Sequence, residues 1–485
     1  MLKTISALLC ASLLLLGTLL PGHAQTSFPP PITPAQAATV AQNWINLVIA
    51  VQGHWGGAGA ANLRQLMEFK EGDRVVGYFA AVHPQGFLTI SLYRELAPVK
   101  AYSDVSDLDP GLDNGLTALL KARMAHLLER LETGWATGQP VPLEVDYAPA
   151  WSRLERPTAQ FGTDLDADGS NYREGQVMLT SAWNQSPPYN DDCPWQNCGN
   201  ANGRAIVGCV ATAGCQLMRY WNWPPYGSGS PYSDTYDWVN MPDTITISSP
   251  AAQIDAIAEL CHEVGVAVDM DYGCTASGAD TDDMEDVYED HFCYSTACTR
   301  RDRDDYGAVA WFDRLKAQFN LNRPVQYRVE GHSIVGDGWQ EIYWLGTLTR
   351  QYHMNYGWSA SDNAWYTLDA LPLGGVDEEY MLENIYPAQS LGGYAAGIYA
   401  RNASFPYRYV DRDTTGVSAT FQSGQNIQFL PGVSLRGTST TGGYIRIEAS
   451  PGLTTRLFME GDLTRGIRLS SGVIRLTNQG SIVLR

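Results

Sequence analysis

The sequence predicts an α+β protein in three parts, and three observations carry that reading. Helical and strand periodicities alternate through the first third. Eight of the nine cysteines fall between Cys193 and Cys298. After about residue 391 the chain turns to short β-prone runs with no Cys, Trp or His. At 485 residues the chain exceeds one ordinary domain, and 44% hydrophobic residues, including 14 Trp, 26 Tyr and 12 Phe, can fill several cores. That composition excludes disorder as a whole-chain class. The formal net charge of −20 repels a phosphate backbone, and no local basic patch offsets it, so no nucleic-acid partner is expected.

Taken in order, Met1-Leu2-Lys3 gives a basic start, Ile5–Leu20 an apolar run, and Gly22-His23-Ala24 a small-residue end. This is a signal-peptide pattern over residues 1–24, and its apolar run of 16 residues is short for a membrane span. Cys10 lies too early to be a lipidation site. No later stretch reaches 18 apolar residues, so the expectation is a soluble, secreted protein (extracellular or periplasmic) without a transmembrane segment once the signal is removed. Exported cysteines can oxidise, and Cys193/Cys198 and Cys293/Cys298 are the close pairs available for some disulfide arrangement.

Residues 33–52 and 112–133 carry apolar residues at three- and four-residue steps, the mark of helices. Val75–Val82 and Gly86–Leu92 read as strands around a His83-Pro84-Gln85 turn. A polar linker follows at Thr163–Glu174. There Asp164, Asp166 and Asp168, then Gly169, resemble the first half of a calcium loop, although its twelfth position is Gly175 rather than a bidentate Glu. A structural calcium ion is weighed there against a solvated acidic linker; no other cofactor is expected. In the tail, Ile467-Arg468-Leu469, Ile474-Arg475-Leu476 and Ile482-Val483-Leu484 recur at steps of seven and eight, as in a small β-sandwich or a stacked β-coil. Without an ionisable cluster, that tail reads as a binding or anchoring module.

Several catalytic patterns are absent: there is no G-x-S-x-G, no phosphate-binding Walker loop and no paired C-x-x-C. Cys261-His262-Glu263 begins like a zinc-protease helix, but Val266 stands where the second ligand belongs, and neither His262 nor His291 has a partner at ligand spacing. What remains is Val207-Gly208-Cys209-Val210-Ala211-Thr212, followed by Cys215, Leu217, Met218 and Trp221 on one helical face. Cys209 thus opens a helix, where free N–H groups and the dipole lower a thiol pKa. A thiolate nucleophile needs an imidazole partner. His332 supplies one 123 residues later, between Gly331 and Gly336, and Asn355 with its aromatic neighbours completes a Cys…His…Asn order.

Five segments in this order, LTSAWNQSPPYNDDCP (179–194), GCVATAGCQLMRYWNWP (208–224), VAVDMDYG (266–273), GHSIVGDG (331–338) and HMNYGW (353–358), resemble the streptopain (C10) family of bacterial cysteine peptidases in the papain-like clan. GFLTISLYRELAPVKAYSD (86–104) is similar to that family's inhibitory propeptide. The resemblance implies a papain-like core at 166–390, a propeptide at 25–165 acting as the enzyme's own inhibitor, and a β-rich accessory module at 391–485. It implies protein or peptide substrates, with Cys209 as nucleophile, His332 as general acid and base, and Gln185 as a donor to the developing oxyanion beside the Cys209 N–H. Tyr356 departs from the family's usual Trp, which leaves Asn355 and Trp358 as alternative orienting partners of His332. With Cys209 free, a second thiol is left over, and Cys215 is the candidate. Two other functions use the same scaffold: a catalytically silent adhesion or carbohydrate-binding protein, and a transpeptidase or amidase. Intact Cys209, His332 and Gln185 speak against the first.

Overall fold

The structure is a computed structural model describing residues 28–359, 362–369 and 379–387, together with the backbone of short strands between Tyr409 and Leu484. Its N-terminal unit opens with α1 (Pro34–Gln52), which starts at Thr33. The Thr33 side chain and the Gln36 side chain cap each other's backbone N–H groups, and Gly53 closes the helix in the left-handed conformation. An antiparallel meander follows: β1 (Asn62–Glu71), β2 (Arg74–His83), β3 (Phe87–Ser91) and β4 (Val99–Ser103). Then come α2 (Gly115–Thr137), α3 (Ala148–Leu154) and α4 (Thr158–Ala167). Strand alternation places Tyr78, Ala80 and Val82 in a core with α1 and Phe79 and Ala81 in a second core with α2, which Val76 joins at the register shift between Phe69 and Lys70.

That second core does not stop at the N-terminal unit. Leu116, Leu120, Met124 and Leu127 of α2 share it with residues from Met178 to Ile385. The continuing chain forms β5 (Tyr172–Val177), α5 (Cys209–Trp221), α6 (Ala251–Ala267), a single turn α7 (Met284–Asp286), β6 (Thr299–Asp302) and α8 (Ala308–Asn320). It ends in β7 (Val325–Val329), β8 (His332–Trp344), β9 (Thr347–Asn355), β10 (Ala364–Thr367) and β11 (Tyr380–Glu383). One sheet runs β1-β2-β3-β4-β10-β9-β8-β7-β11-β6, with β5 pairing β8. The seam between the units is β4 on β10, where Trp365 faces Tyr102 and Tyr366 faces Ala101. A shared core and a shared sheet both hold the N-terminal unit in place.

Several expectations are corrected. The predicted linker is ordered: Asp164 and Asp166 lie within α4, and Asp168 caps its end. At 100° per residue, Asp164 and Asp166 point to opposite sides of a helix, unlike loop ligands. Asp164 pairs with Arg156 at 2.5 Å, and Asp168 accepts from the Ser170 N–H (3.0 Å) and hydroxyl (2.6 Å). The three carboxylates therefore do not form the proposed calcium loop. Among the described residues no group of three or more His, Cys, Asp or Glu is placed to hold a metal ion.

The cysteine pairs are also different. Cys198 bridges Cys274, with Cα atoms 5.2 Å apart, while Cys193, buried in the main core, stays reduced. Cys293 and Cys298 are free, as is Cys215. Among the described residues no helix is long and apolar enough to cross a membrane.

In the tail, Ser418–Ser423 pairs Tyr444–Ala449 and that strand pairs Ile474–Thr477, all in parallel. Asn426–Phe429, Arg456–Met459 and Ser481–Leu484 form a second parallel set. Hairpin-built sandwiches give antiparallel ladders, so these pairings favour the stacked coil. Residues 1–24, Cys10 and Ile467-Arg468-Leu469 lie outside the described residues.

Candidate active site

Helix α5 begins at Cys209 because Gly208 permits the turn into it. Gly208 has φ +91°, and a Cβ there would lie 2.7 Å from the Met270 sulfur. The Cys209 thiol sits against the backbone N–H of Ser333, the residue after His332, with the Val210 N–H and its own N–H also near. These donors and Arg328 favour a thiolate, but burial outweighs them and pushes the thiol pKa up. The expected depression of that pKa is therefore not realised in the intact chain.

His332 opens β8 and is 5% exposed. Its Nε2 lies 2.9 Å from the Tyr356 carbonyl oxygen. A carbonyl only accepts, so Nε2 carries the proton and Nδ1 keeps a lone pair. The Trp358 ring stacks on the imidazole at 4.0 Å between centroids and Tyr356 stacks at 6.0 Å, both within 16° of parallel. Burial lowers the imidazole pKa to about 4 against the opposing pull of the Tyr356 carbonyl. Among the described residues no hydrogen bond joins this ring to the Cys209 thiol: both groups are present, adjacent in the fold and neutral.

Among the described residues no hydrogen bond joins Asn355 to the imidazole. Its amide pairs reciprocally with Gln216 on α5: Gln216 Nε2 donates to Asn355 Oδ1 (3.1 Å), and Asn355 Nδ2 donates to Gln216 Oε1 (3.2 Å). Asn355 Nδ2 also donates to the Ser181 carbonyl (2.8 Å), and Gln216 Oε1 accepts from the Trp183 N–H (3.1 Å). This buried knot ties α5 to the segment leading to Gln185 and to the strand end whose next carbonyl holds His332. The orienting contacts of the imidazole come from the Tyr356 backbone and the Trp358 ring.

Gln185 is buried, and its carbonyl accepts from the Val207 N–H (3.0 Å), two residues before Cys209. His353 lies elsewhere on β9, with Nδ1 2.6 Å from the buried Asp337 carboxylate and its ring edge-on to Trp365. It serves the sheet interior.

Two further residues escaped the sequence reading, Gln216 and Gln326. Gln326, fully buried on β7, donates to the Val210 carbonyl (3.1 Å) and the Ser333 hydroxyl (3.0 Å), clamping the residues that follow Cys209 and His332. Their only sequence signal is an amide side chain at an apolar-face position, which many surface residues share.

Comparison with known proteins bears on this constellation directly. Residues 183–366 match the peptidase C10 family. The matched segment holds Gln185, Cys209, His332 and Asn355. Streptopain from Streptococcus pyogenes is 25% identical over 321 residues, covering 61% of this chain and 74% of streptopain. The thiol protease/hemagglutinin PrtT of Porphyromonas gingivalis is 27% identical over 214 residues, covering 40% of this chain and 24% of PrtT. Among solved structures, a prointerpain A fragment from Prevotella intermedia covers 67% of this chain and 99% of the fragment, with a TM-score of 0.51 and 24% identity, a likeness of fold. The chain is a cysteine endopeptidase on a papain-like α+β scaffold, similar over that segment to the C10 peptidases, and the catalytically silent alternative is set aside.

Proposed function

We propose that the chain is a secreted zymogen that hydrolyses peptide bonds through Cys209 and His332. The observation that carries this reading is the tautomer at His332: with Nε2–H committed to the Tyr356 carbonyl, the free Nδ1 lone pair is the proton acceptor on a residue adjacent to the one that touches the Cys209 thiol. Nδ1 takes the thiol proton, and sulfur attacks the substrate carbonyl. The oxyanion collects hydrogen bonds from the Cys209 N–H and the Gln185 amide, and the imidazolium returns its proton to the leaving amine. Water then cleaves the acyl-enzyme by the reverse sequence. Trp358 and the Tyr356 carbonyl orient the ring, and Asn355 acts through Gln216.

Residues 25–165 serve as propeptide, 166–390 as peptidase and 391–485 as accessory module. Desolvation of both reactive groups in the intact chain, His332 buried and Cys209 half-buried, supports latency, because a neutral imidazole with a pKa near 4 and a thiol with a raised pKa form no ion pair at neutral pH. The N-terminal unit reaches the ring stacked on His332, since Gly115 and Thr117 line one cleft with Trp358, so its removal uncovers that flank of the imidazole.

The test is hydrolysis of casein by processed protein, with and without iodoacetamide, followed by mass mapping of the label. Loss of activity in step with alkylation at Cys209 is expected. Full activity with Cys209 alkylated would contradict the assignment.

A further inference from the structure

The N-terminal unit lends two cations to two carboxylates of the peptidase. Lys100 Nζ on β4 meets Asp369 Oδ1 and also donates to the Thr367 carbonyl (3.4 Å). Arg123 Nη2 on α2 lies 2.8 Å from Asp369 Oδ2 and 3.4 Å from Glu379 Oε2, and the Tyr327 hydroxyl donates to Glu379. Lys100, Asp369 and Glu379 are 3%, 4% and 8% exposed. Charges buried this deeply require partners, and both carboxylates find their cations on the N-terminal unit.

A cavity of about 360 Å³ adjoins this cluster. One wall is α2, with Leu120 and Arg123. The other is the peptidase sheet, with Ile334, Met354 and Tyr356, and Glu379 stands in the lining. Tyr366, 7% exposed, lines the same cavity with its hydroxyl toward that of Tyr356. Tyr356 is also the ring stacked on His332, so the cavity reaches the flank of the catalytic imidazole.

Loss of the N-terminal unit removes α2 and both cations. It leaves an apolar wall that runs from His332's neighbour to two carboxylates without counter-charges. We infer that in the processed enzyme this groove is a substrate subsite for a long basic side chain, Lys or Arg. The aliphatic stem lies on Ile334 and Met354, and the cationic head takes the place of Lys100 and Arg123 between Asp369 and Glu379. This rests on the reading of residues 25–165 as a removable propeptide.

The test uses self-processed enzyme and peptides that differ at one flanking position, Lys or the neutral isostere norleucine, scanned along the substrate. At one position Lys is expected to raise kcat/KM about tenfold or more, and Asp369→Asn with Glu379→Gln to bring that ratio near one. No position favouring Lys, or a preference that survives both substitutions, would overturn the subsite. A second measurement needs no processing: urea unfolding of the intact Cys209→Ala chain in a double-mutant cycle of Lys100→Met and Asp369→Asn. The double variant is expected to lose less stability than the sum of the singles; additivity would overturn recognition of a cation by Asp369. Failure to self-process would count against the zymogen proposal while leaving this cycle readable.

Discussion

Cys209→Ala is expected to lower peptide hydrolysis by a factor on the order of 10⁶, to the level of the buffer, because the proposed acyl-enzyme forms through its sulfur. The fold should hold. Alanine keeps the Cβ at the first position of α5, where small neighbours Val210, Ala211 and Ala213 already pack, and the helix start is set by Gly208 rather than by the thiol. The check is a fluorogenic peptide assay alongside thermal unfolding. Residual turnover above about one per cent, in protein that unfolds normally, would assign the nucleophile elsewhere. The buried thiols of Cys193, Cys215 and Cys261 would then be examined first.

His332→Ala should bring nearly the same loss, since a nucleophile and its base act as a unit. It also carries a stability signature that a purely catalytic role would lack. The folded imidazole has its pKa lowered from 6.5 to about 4. Between those values the unfolded chain binds a proton that the folded chain refuses. The contribution of His332 to stability is therefore full above pH 6.5 and is lost as pH falls towards 4. Unfolding of the intact Cys209→Ala chain at pH 7 and pH 4.5 should show this fall, and adding His332→Ala should flatten that part of it. Inactivity of His353→Ala with normal activity in His332→Ala would instead make His353 the base. Its engagement with the buried Asp337 predicts a structural effect only.

The sequence announced the parts of this site that depend on local chemistry. Gly208 before Cys209 marks a helix start, and the bounds of α1 and β2 follow from periodicity and turn residues. Long-range partnerships were hidden. The sequence offers Asn355 and Trp358 as alternative orienting residues; the fold turns the Asn355 amide to Gln216 and leaves the Trp358 ring and the Tyr356 backbone carbonyl to hold the imidazole. A backbone acceptor has no sequence signature. The acidic run at Asp164–Asp168 looked like a loop because its spacing alternates, but Phe161 and Leu165, four residues apart, bury one side of α4 and impose a helix. The Cys198–Cys274 bridge spans 76 residues, so proximity in sequence pointed to the wrong partners. Burial likewise reversed the thiol's expected acidity, since the dipole of α5 is local and the covering elements are not.

The central claim is that Cys209 itself releases the N-terminal unit, and N-terminal sequencing of aged wild-type and Cys209→Ala protein tests it most directly. The turn after α4, around Gly169 and Ser170, is exposed and joins the two units, which makes it the accessible place for a cut. The account predicts a wild-type product that begins between about residues 160 and 180, and a Cys209→Ala chain that stays uncut until trace active enzyme is added. Full activity in uncut protein, or a mature start before residue 100, would contradict it.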